Sequence, residues 1–336
     1  MMETHLEIPC STASELLSAL TATSKHFLGA EDMRLFRGES DISRPLVPTA
    51  FRPEGIKKLV ELDQLEASGE FKECHDATPE KGLWFYERLA LAMFYRNAND
   101  QSLPLPPLEH ETHVELLHRS SSLAAAFTLK RQWPRKELFP IMALAQHYGF
   151  PTRLLDWSGD PLASAYFAAR NGLNYMDRTD RKIGVWQTYA PVLRSTIVPF
   201  LGARSNEPRS TQYIAVVDAP YAGNPNLAAQ KGRFTLAIER NRPFEDTGRI
   251  RKSLDEIFYD IFLECESIDK TSMLKLPFET SHMFLKYSLP VSESADLLNR
   301  LHQRGYKASR VFPGYSSCLM NVNEKMQVRK TINFAP

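Results

Sequence analysis

The sequence has no surplus of charge of one sign: 41 Lys and Arg stand against 40 Asp and Glu, a net charge of +1. That balance excludes a global electrostatic pull toward nucleic acid or an anionic membrane and leaves only local patches to consider. Cysteine is scarce. Cys10, Cys74, Cys265 and Cys318 lie far apart and in no ligand spacing, which argues against a zinc framework or a disulfide scaffold and fits thiols in a reducing compartment. No apolar run is long enough to span a bilayer. The N-terminus lacks the basic region and apolar core of a secretion signal, so the expectation is a cytoplasmic protein without membrane association. No Ser–His–Asp order, P-loop, dinucleotide GxGxxG or HExxH stands out, and no metal is expected. No internal repeat or low-complexity segment is apparent. What is present is an ordinary globular composition, 43% hydrophobic and 24% charged over 336 residues, enough for one large domain or two small ones.

The chain is organised around residues 141–170, IMALAQHYGFPTRLLDWSGDPLASAYFAAR. Met142, Leu144 and Ala145 are spaced for a helix face, and Gly149 stands where a C′ glycine ends a helix. Pro151 fixes its own φ and pushes Phe150 out of the helical region. Residues 152–157 then read as a short buried strand. Ser158 or Asp160 suits the cap of the next helix, with Pro161 in its first turn. Ala163, Ala165, Ala168 and Ala169 supply a small-residue face that packs close to a sheet. His147, Thr152, Arg153, Asp156, Trp157 and Ser158 therefore gather at element ends, where sites are built. Two readings of Arg153 and Asp156 stand side by side: an ion pair that pins the turn, or a pair of functional groups.

Elsewhere, the patterns predict a helix over 11–28, a strand over 33–37 ending at Gly38, and an extended loop over 43–49. Residues 55–131 read mostly as helices, with Leu59, Leu62 and Leu65 on one, 83–95 as a second and 114–130 as a third. Strands are expected at 184–189, 212–217, 234–238 and 284–289. Helices are expected at 254–263 and 292–301, the last ended by Gly305. Residues 191–209 read as an irregular insertion. Strands on both sides of a helical block argue for an α+β fold with one mixed sheet.

The run QHYGFPTRLLDWS with PLASAYFAA after it resembles the signature of the FRG-domain family. The family's Phe-Arg-Gly motif is matched by Phe36-Arg37-Gly38, followed by Glu39. A third piece, from Asn226 through Gln230 and Gly232 to Phe234, is similar to the family's N-x-x-x-x-Q-x-G-x-F run. The resemblance implies a single FRG-like domain over 1–336, with 55–135 as a helical insertion and 240–336 as the C-terminal part of the same domain.

A weaker likeness leads to ADP-ribosyltransferases. Arg37-Gly38 is similar to the early strand that holds NAD in those enzymes. Trp157-Ser158-Gly159-Asp160 with Ala163 and Phe167-Ala168 is similar to their Ser/Thr strand end and A-x-x-F-A helix. The likeness implies an ADP-ribosyltransferase-like core and NAD as substrate. Arg37, His147 and Gln230 would be catalytic. Arg37, Gly38, Glu39, Tyr148, Thr152, Arg153, Asp156, Trp157 and Ser158 would bind the dinucleotide. A guanidinium suits the pyrophosphate, a carboxylate near the ribose would stabilise developing positive charge, and Trp157 or Tyr148 would stack on nicotinamide. Gly232 stands where such a transferase places its glutamate, so Glu39, Glu239 and Asp156 remain the candidate carboxylates. Two functions follow. One is an NAD-consuming ADP-ribosyltransferase or glycohydrolase, a toxin or anti-phage defence effector acting on a protein or nucleic-acid acceptor. The other is a non-catalytic module that binds nucleotides or nucleic acid.

Overall fold

A computed structural model describes residues 4–22, 33–66, 79–117, 133–178, 180–197, 210–219, 224–239, 252–266 and 283–333. The strands are β1 Leu6–Pro9, β2 Arg34–Glu39, β3 Leu155–Ser158, β4 Lys182–Tyr189, β5 Gln212–Val217, β6 Gly232–Glu239 and β7 Leu285–Pro290. They form one mixed sheet of seven strands in the order β1-β7-β4-β2-β3-β6-β5. The β1–β7 pair is parallel and the other neighbours are antiparallel. The helices are α1 Ala13–Thr21, α2 Pro53–Glu66, α3 Pro79–Asp100, α4 His110–Leu117, α5 Phe139–His147, α6 Pro161–Gly172, α7 Ala190–Ser195, α8 Pro225–Ala229, α9 Leu254–Glu266, α10 Ser294–Gln303, α11 Ala308–Val311 and α12 Ser316–Asn333. The fold is α+β. Among the described residues no helix is long and apolar enough to cross a membrane.

Period-2 alternation divides the core. Leu35, Leu155, Trp157, Trp186, Ile214 and Ala237 point to one face, under α2, α3 and α9. On the other face, Phe36, Val185 and Leu289 meet α1, α6 and α10, while Tyr213, Leu236 and Ile238 meet α5. The small face of α6 lets its backbone lie against β2: a Cβ added at Gly38 would come within 1.9 Å of the Ser164 carbonyl oxygen. Gly38 thus serves helix packing, a different use from the sharp turn or ligand approach that the sequence suggests.

The expected strands at 184–189, 212–217, 234–238 and 284–289 are present within a residue or two. The strand expected over 152–157 is confined to β3, Leu155–Ser158, with Thr152, Arg153 and Leu154 buried just ahead of it. The expected helix over 11–28 is observed as Ala13–Thr21, and residues 23–32 lie outside the described part. The helix expected over 114–130 is seen only through its start in α4, Leu117 being the last described residue. The insertion at 191–209 begins with the short helix α7, and residues 198–209 also lie outside. Four of these elements carried no sequence expectation: the edge strand β1 and the helices α8, α11 and α12.

Candidate functional site

The end of α5 closes as the sequence suggests. Gly149 has φ +85°. Its N–H bonds to the Gln146 carbonyl and the Phe150 N–H to the Ala145 carbonyl, the two hydrogen bonds of a Schellman motif. This stop leaves Tyr148 68% exposed. The Tyr148 ring stacks on Phe94 at 6.3 Å between centroids, with exposed His147 edge-on to it at 5.0 Å. Pro151 then redirects the chain toward the sheet.

A chain of polar groups runs inward from that turn. The Thr152 hydroxyl donates to the Gln146 amide oxygen, and the Gln146 amide nitrogen donates to Asp156 Oδ1. Asp156 Oδ2 and the Asp156 backbone carbonyl both accept from Arg37 Nη1, each at 3.0 Å. Arg37 Nε donates to Glu39 Oε1 at 2.7 Å. The pairing of β2 with β3 is limited to Phe36 and Ser158. The Arg37 guanidinium lies across the gap beyond and bonds the backbone that a longer ladder would have bonded. Burial opposes the guanidinium's charge, but Glu39 and Asp156 outweigh it and hold the pKa above the usual arginine value. The Asp156 side chain is 57% exposed while Arg37 is 14% exposed. Both oxygens of an accessible carboxylate are thus held by fixed donors.

Arg153 does not pair with Asp156. Its guanidinium turns to the other side and grips Glu87 of α3, with Nε 3.0 Å from Oε1 and Nη2 on Oε2. Both side chains are buried, and Phe51 lies under the guanidinium at 5.4 Å. Trp157 is likewise interior. Its indole N–H donates to Thr235 at 2.9 Å, and the ring, in the core under α2 and α3, offers no face to a ligand. The one-residue pleat decides this, since Leu155 and Trp157 point inward and Asp156 points out.

Ser158, Asp160 and Gln230 belong to a second cluster. Ser158 donates to the Gln230 carbonyl at 2.6 Å and accepts from the Asp160 N–H at 2.9 Å. Asp160, the N-cap of α6, accepts from Leu162 N–H at 3.0 Å and from the Tyr306 hydroxyl at 2.7 Å. Burial and this bond to Asp160 push Tyr306 up to about 12. The Gln230 amide donates to the Val311 carbonyl at 3.1 Å. No hydrogen bond or ion pair joins this cluster to Arg37 among the described residues. Of the residues expected to act on or bind the dinucleotide, Arg37, Glu39, Thr152 and Asp156 are joined with Gln146 in one hydrogen-bonded chain, Trp157 is in the core, and Gln230 bonds to Ser158 and Val311. Gly232 opens β6 against Leu227, whose Cδ1 stands 2.2 Å from where a Cβ would be. A glutamate there would displace a buried leucine.

Sequence reasoning missed Gln146, Glu87 and Arg52. Gln146 was legible as one of the two polar residues, with His147, that close an otherwise apolar helix. Arg52 sits at the start of α2, on a loop tied to the site by the hydrogen bond from Ala50 N–H to the Thr152 carbonyl at 3.1 Å. Among the described residues no group of three or more His, Cys, Asp or Glu stands in position to hold a metal ion.

The family model of the FRG domain matches residues 32–176. The chain carries an FRG domain. Arg37, Glu39, Arg52, Glu87, Gln146, Tyr148, Asp156 and Trp157 all lie inside it, and Gln230 lies beyond it. The FRG domain supplies β2 and β3, the strands at the centre of the sheet, together with the helices between them. No curated protein and no solved structure matches the chain.

Proposed function

We propose that the FRG domain of this chain cleaves NAD at the nicotinamide–ribose bond, as an ADP-ribosyltransferase or NAD glycohydrolase with an ADP-ribosyltransferase-like core. The observation that carries this reading is the Asp156 carboxylate, accessible to solvent yet held on one oxygen by Arg37 and on the other by Gln146. Departure of nicotinamide leaves positive charge on the ribose and returns the bonding electrons to the pyridine nitrogen. A preorganised carboxylate stabilises such charge without reorganising, and Asp156 is then also the acceptor for the proton of the attacking water or hydroxyl. Arg37 and Gln146 keep it oriented for both tasks. The Tyr148 ring, exposed at the helix end, provides a stacking surface. Glu39 is buried against Arg37 and serves to hold the guanidinium, so of the three candidate carboxylates Asp156 is the one a ligand reaches within this cluster.

The test is incubation of the pure protein with NAD, alone and with cell extract, reading nicotinamide by chromatography. Release by the wild type and loss of about a hundredfold in Asp156→Asn is expected, the usual cost of removing one electrostatic stabiliser. No binding of NAD in calorimetry and no nicotinamide with extract present would sink the reading. A non-catalytic nucleotide- or nucleic-acid-binding module would then lead, favoured by the exposed Tyr148 ring. It predicts binding that falls with salt and is indifferent to Asp156→Asn.

A further inference from the structure

The last helix carries a face that the rest of the described fold does not use. α12 rests on the body by one narrow edge. Ser317, Glu324 and Val328 are buried along it, and at about 3.6 residues per turn they fall in one line. Glu324 is the anchor. Its carboxylate accepts from the Tyr166 hydroxyl and lies 3.0 Å from Arg170 Nε, both on α6 of the FRG domain, and 3.2 Å from His302 Nε2 of α10. Charge-assisted bonds as well as packing therefore hold α12 in place.

On the opposite side stand Tyr315, just before the first turn, and Leu319, Val322 and Met326, between 52% and 96% exposed. Half of the exposed large apolar side chains among the described residues are these four, a concentration that marks an interaction site where single exposed residues would mean nothing. They recur at intervals of four, three and four residues, the a/d spacing of a coiled-coil seam. The stripe is narrow, because Ser316, Cys318, Asn323 and Gln327 border it and are exposed as well. A helix that lies in a membrane interface shows a broad apolar face instead. Charge narrows the occupant further. Glu324 is the helix's one acidic residue and is buried, while Lys325, Arg329 and Lys330 are exposed toward the C-terminal end of the stripe. A second copy of α12 in parallel register would set these cations beside their own equivalents. In antiparallel register it would set them against the other helix's N-terminus, where the dipole is also positive. A helix with carboxylates beside its seam meets neither obstacle.

We propose that the outer side of α12 is a docking surface for an amphipathic helix of a partner protein, with apolar residues at a and d and carboxylates flanking them. Tyr315, Leu319, Val322 and Met326 form the seam, and Lys325, Arg329 and Lys330 select the partner's charge. The surface lies beyond the FRG match at 32–176 and is independent of the chemistry at Asp156, although Glu324 ties it to α6.

The experiment is fluorescence anisotropy of the full chain with two labelled peptides of three heptads. Both carry Leu at a and d; one has Glu and the other Lys at e and g. The Glu peptide is expected to bind, less tightly as salt rises, and the Lys peptide to bind at least about tenfold more weakly. Leu319→Asn should weaken the Glu peptide about tenfold or more, the effect of burying one leucine, with the thermal midpoint unchanged because Leu319 is exposed. Reversing the cations together, Lys325→Glu, Arg329→Glu and Lys330→Glu, should exchange the preference for the two peptides. No binding of either peptide, or equal binding of both, overturns the acidic partner helix. So does a dimer in sedimentation equilibrium that Leu319→Asn breaks, which assigns the stripe to a second copy. Cosedimentation with phosphatidylserine–phosphatidylcholine vesicles that is lost in the same variant assigns it to a membrane surface and overturns the partner helix too.

Discussion

Two arginine–carboxylate pairs flank the same short strand, and they differ in one respect. Arg153 and Glu87 have side chains 4% and 3% exposed, whereas Arg37 is 14% and its partner Asp156 is 57% exposed. The chemistry of the two pairs is the same. The first joins α3 to the turn before β3 and leaves nothing for a ligand to touch. The second, with Gln146 on the other oxygen, orients a carboxylate that still stands open to water. Residue type and spacing left two readings of Arg153 and Asp156, an ion pair that pins the turn or a pair of functional groups. The structure divides these two residues between a structural bond and an accessible one. A motif rich in charge thus does two jobs within a few residues, and burial of the partner tells them apart.

The largest test of that contrast is Glu87→Ala. It would strand the Arg153 guanidinium in the core, and breaking one side of a buried pair costs about 3–5 kcal/mol. Urea denaturation checks it, and a loss below about 1 kcal/mol would show that Arg153 is solvated after all. Asp156→Asn should do the reverse. Stability should change by no more than about 1 kcal/mol, as for exposed pairs, while nicotinamide release falls about a hundredfold. A marked drop in the Asp156→Asn midpoint would make that pair structural too and erase the contrast.

Gly38→Ala probes the frame on which Arg37 stands. The new methyl would press on the Ser164 carbonyl of α6, an overpacking that typically costs about 1–3 kcal/mol. Thermal unfolding should show it, and an unchanged midpoint would mean that α6 shifts freely. The smallest effect belongs to a pair of intermediate exposure, Arg181 with Asp41 at 13% and 25%. Burial works against the Asp41 carboxylate, but Ser43 and Arg181 outweigh it and hold its pKa below the usual range. A carboxylate depressed on folding stabilises above its unfolded pKa of roughly 3.9 and loses that contribution as pH falls through the folded value. The stability difference between wild type and Asp41→Asn should be full near neutrality, within about 1 kcal/mol, and shrink to nothing in strong acid. A difference that persists in acid would assign it to packing.

The local grammar of the fold was legible. Gly149 announces a helix stop because only glycine takes positive φ without strain. Asp160 before Pro161 announces a helix start. Alternation in 182–189 and 232–239 announces strands. The site was half legible: Arg37 and Asp156 were singled out, but Trp157 was expected to face a ligand and Gln230 to join them. Whether a strand residue faces core or solvent depends on which face the neighbouring helices cover, and the residue's own type does not reveal that.

By itself, then, the sequence determined the elements, their ends and the family-like motif, since turns, caps and periodicity act over a few residues. Partners across long stretches of chain were decided by the tertiary structure alone. Glu87 reaches Arg153 across 66 positions and Asp156 reaches Arg37 across 119. Leu6–Pro9 joins the sheet beside Leu285–Pro290. Each of these depends on how helices and strands pack, and charges attract whichever partner that packing brings near.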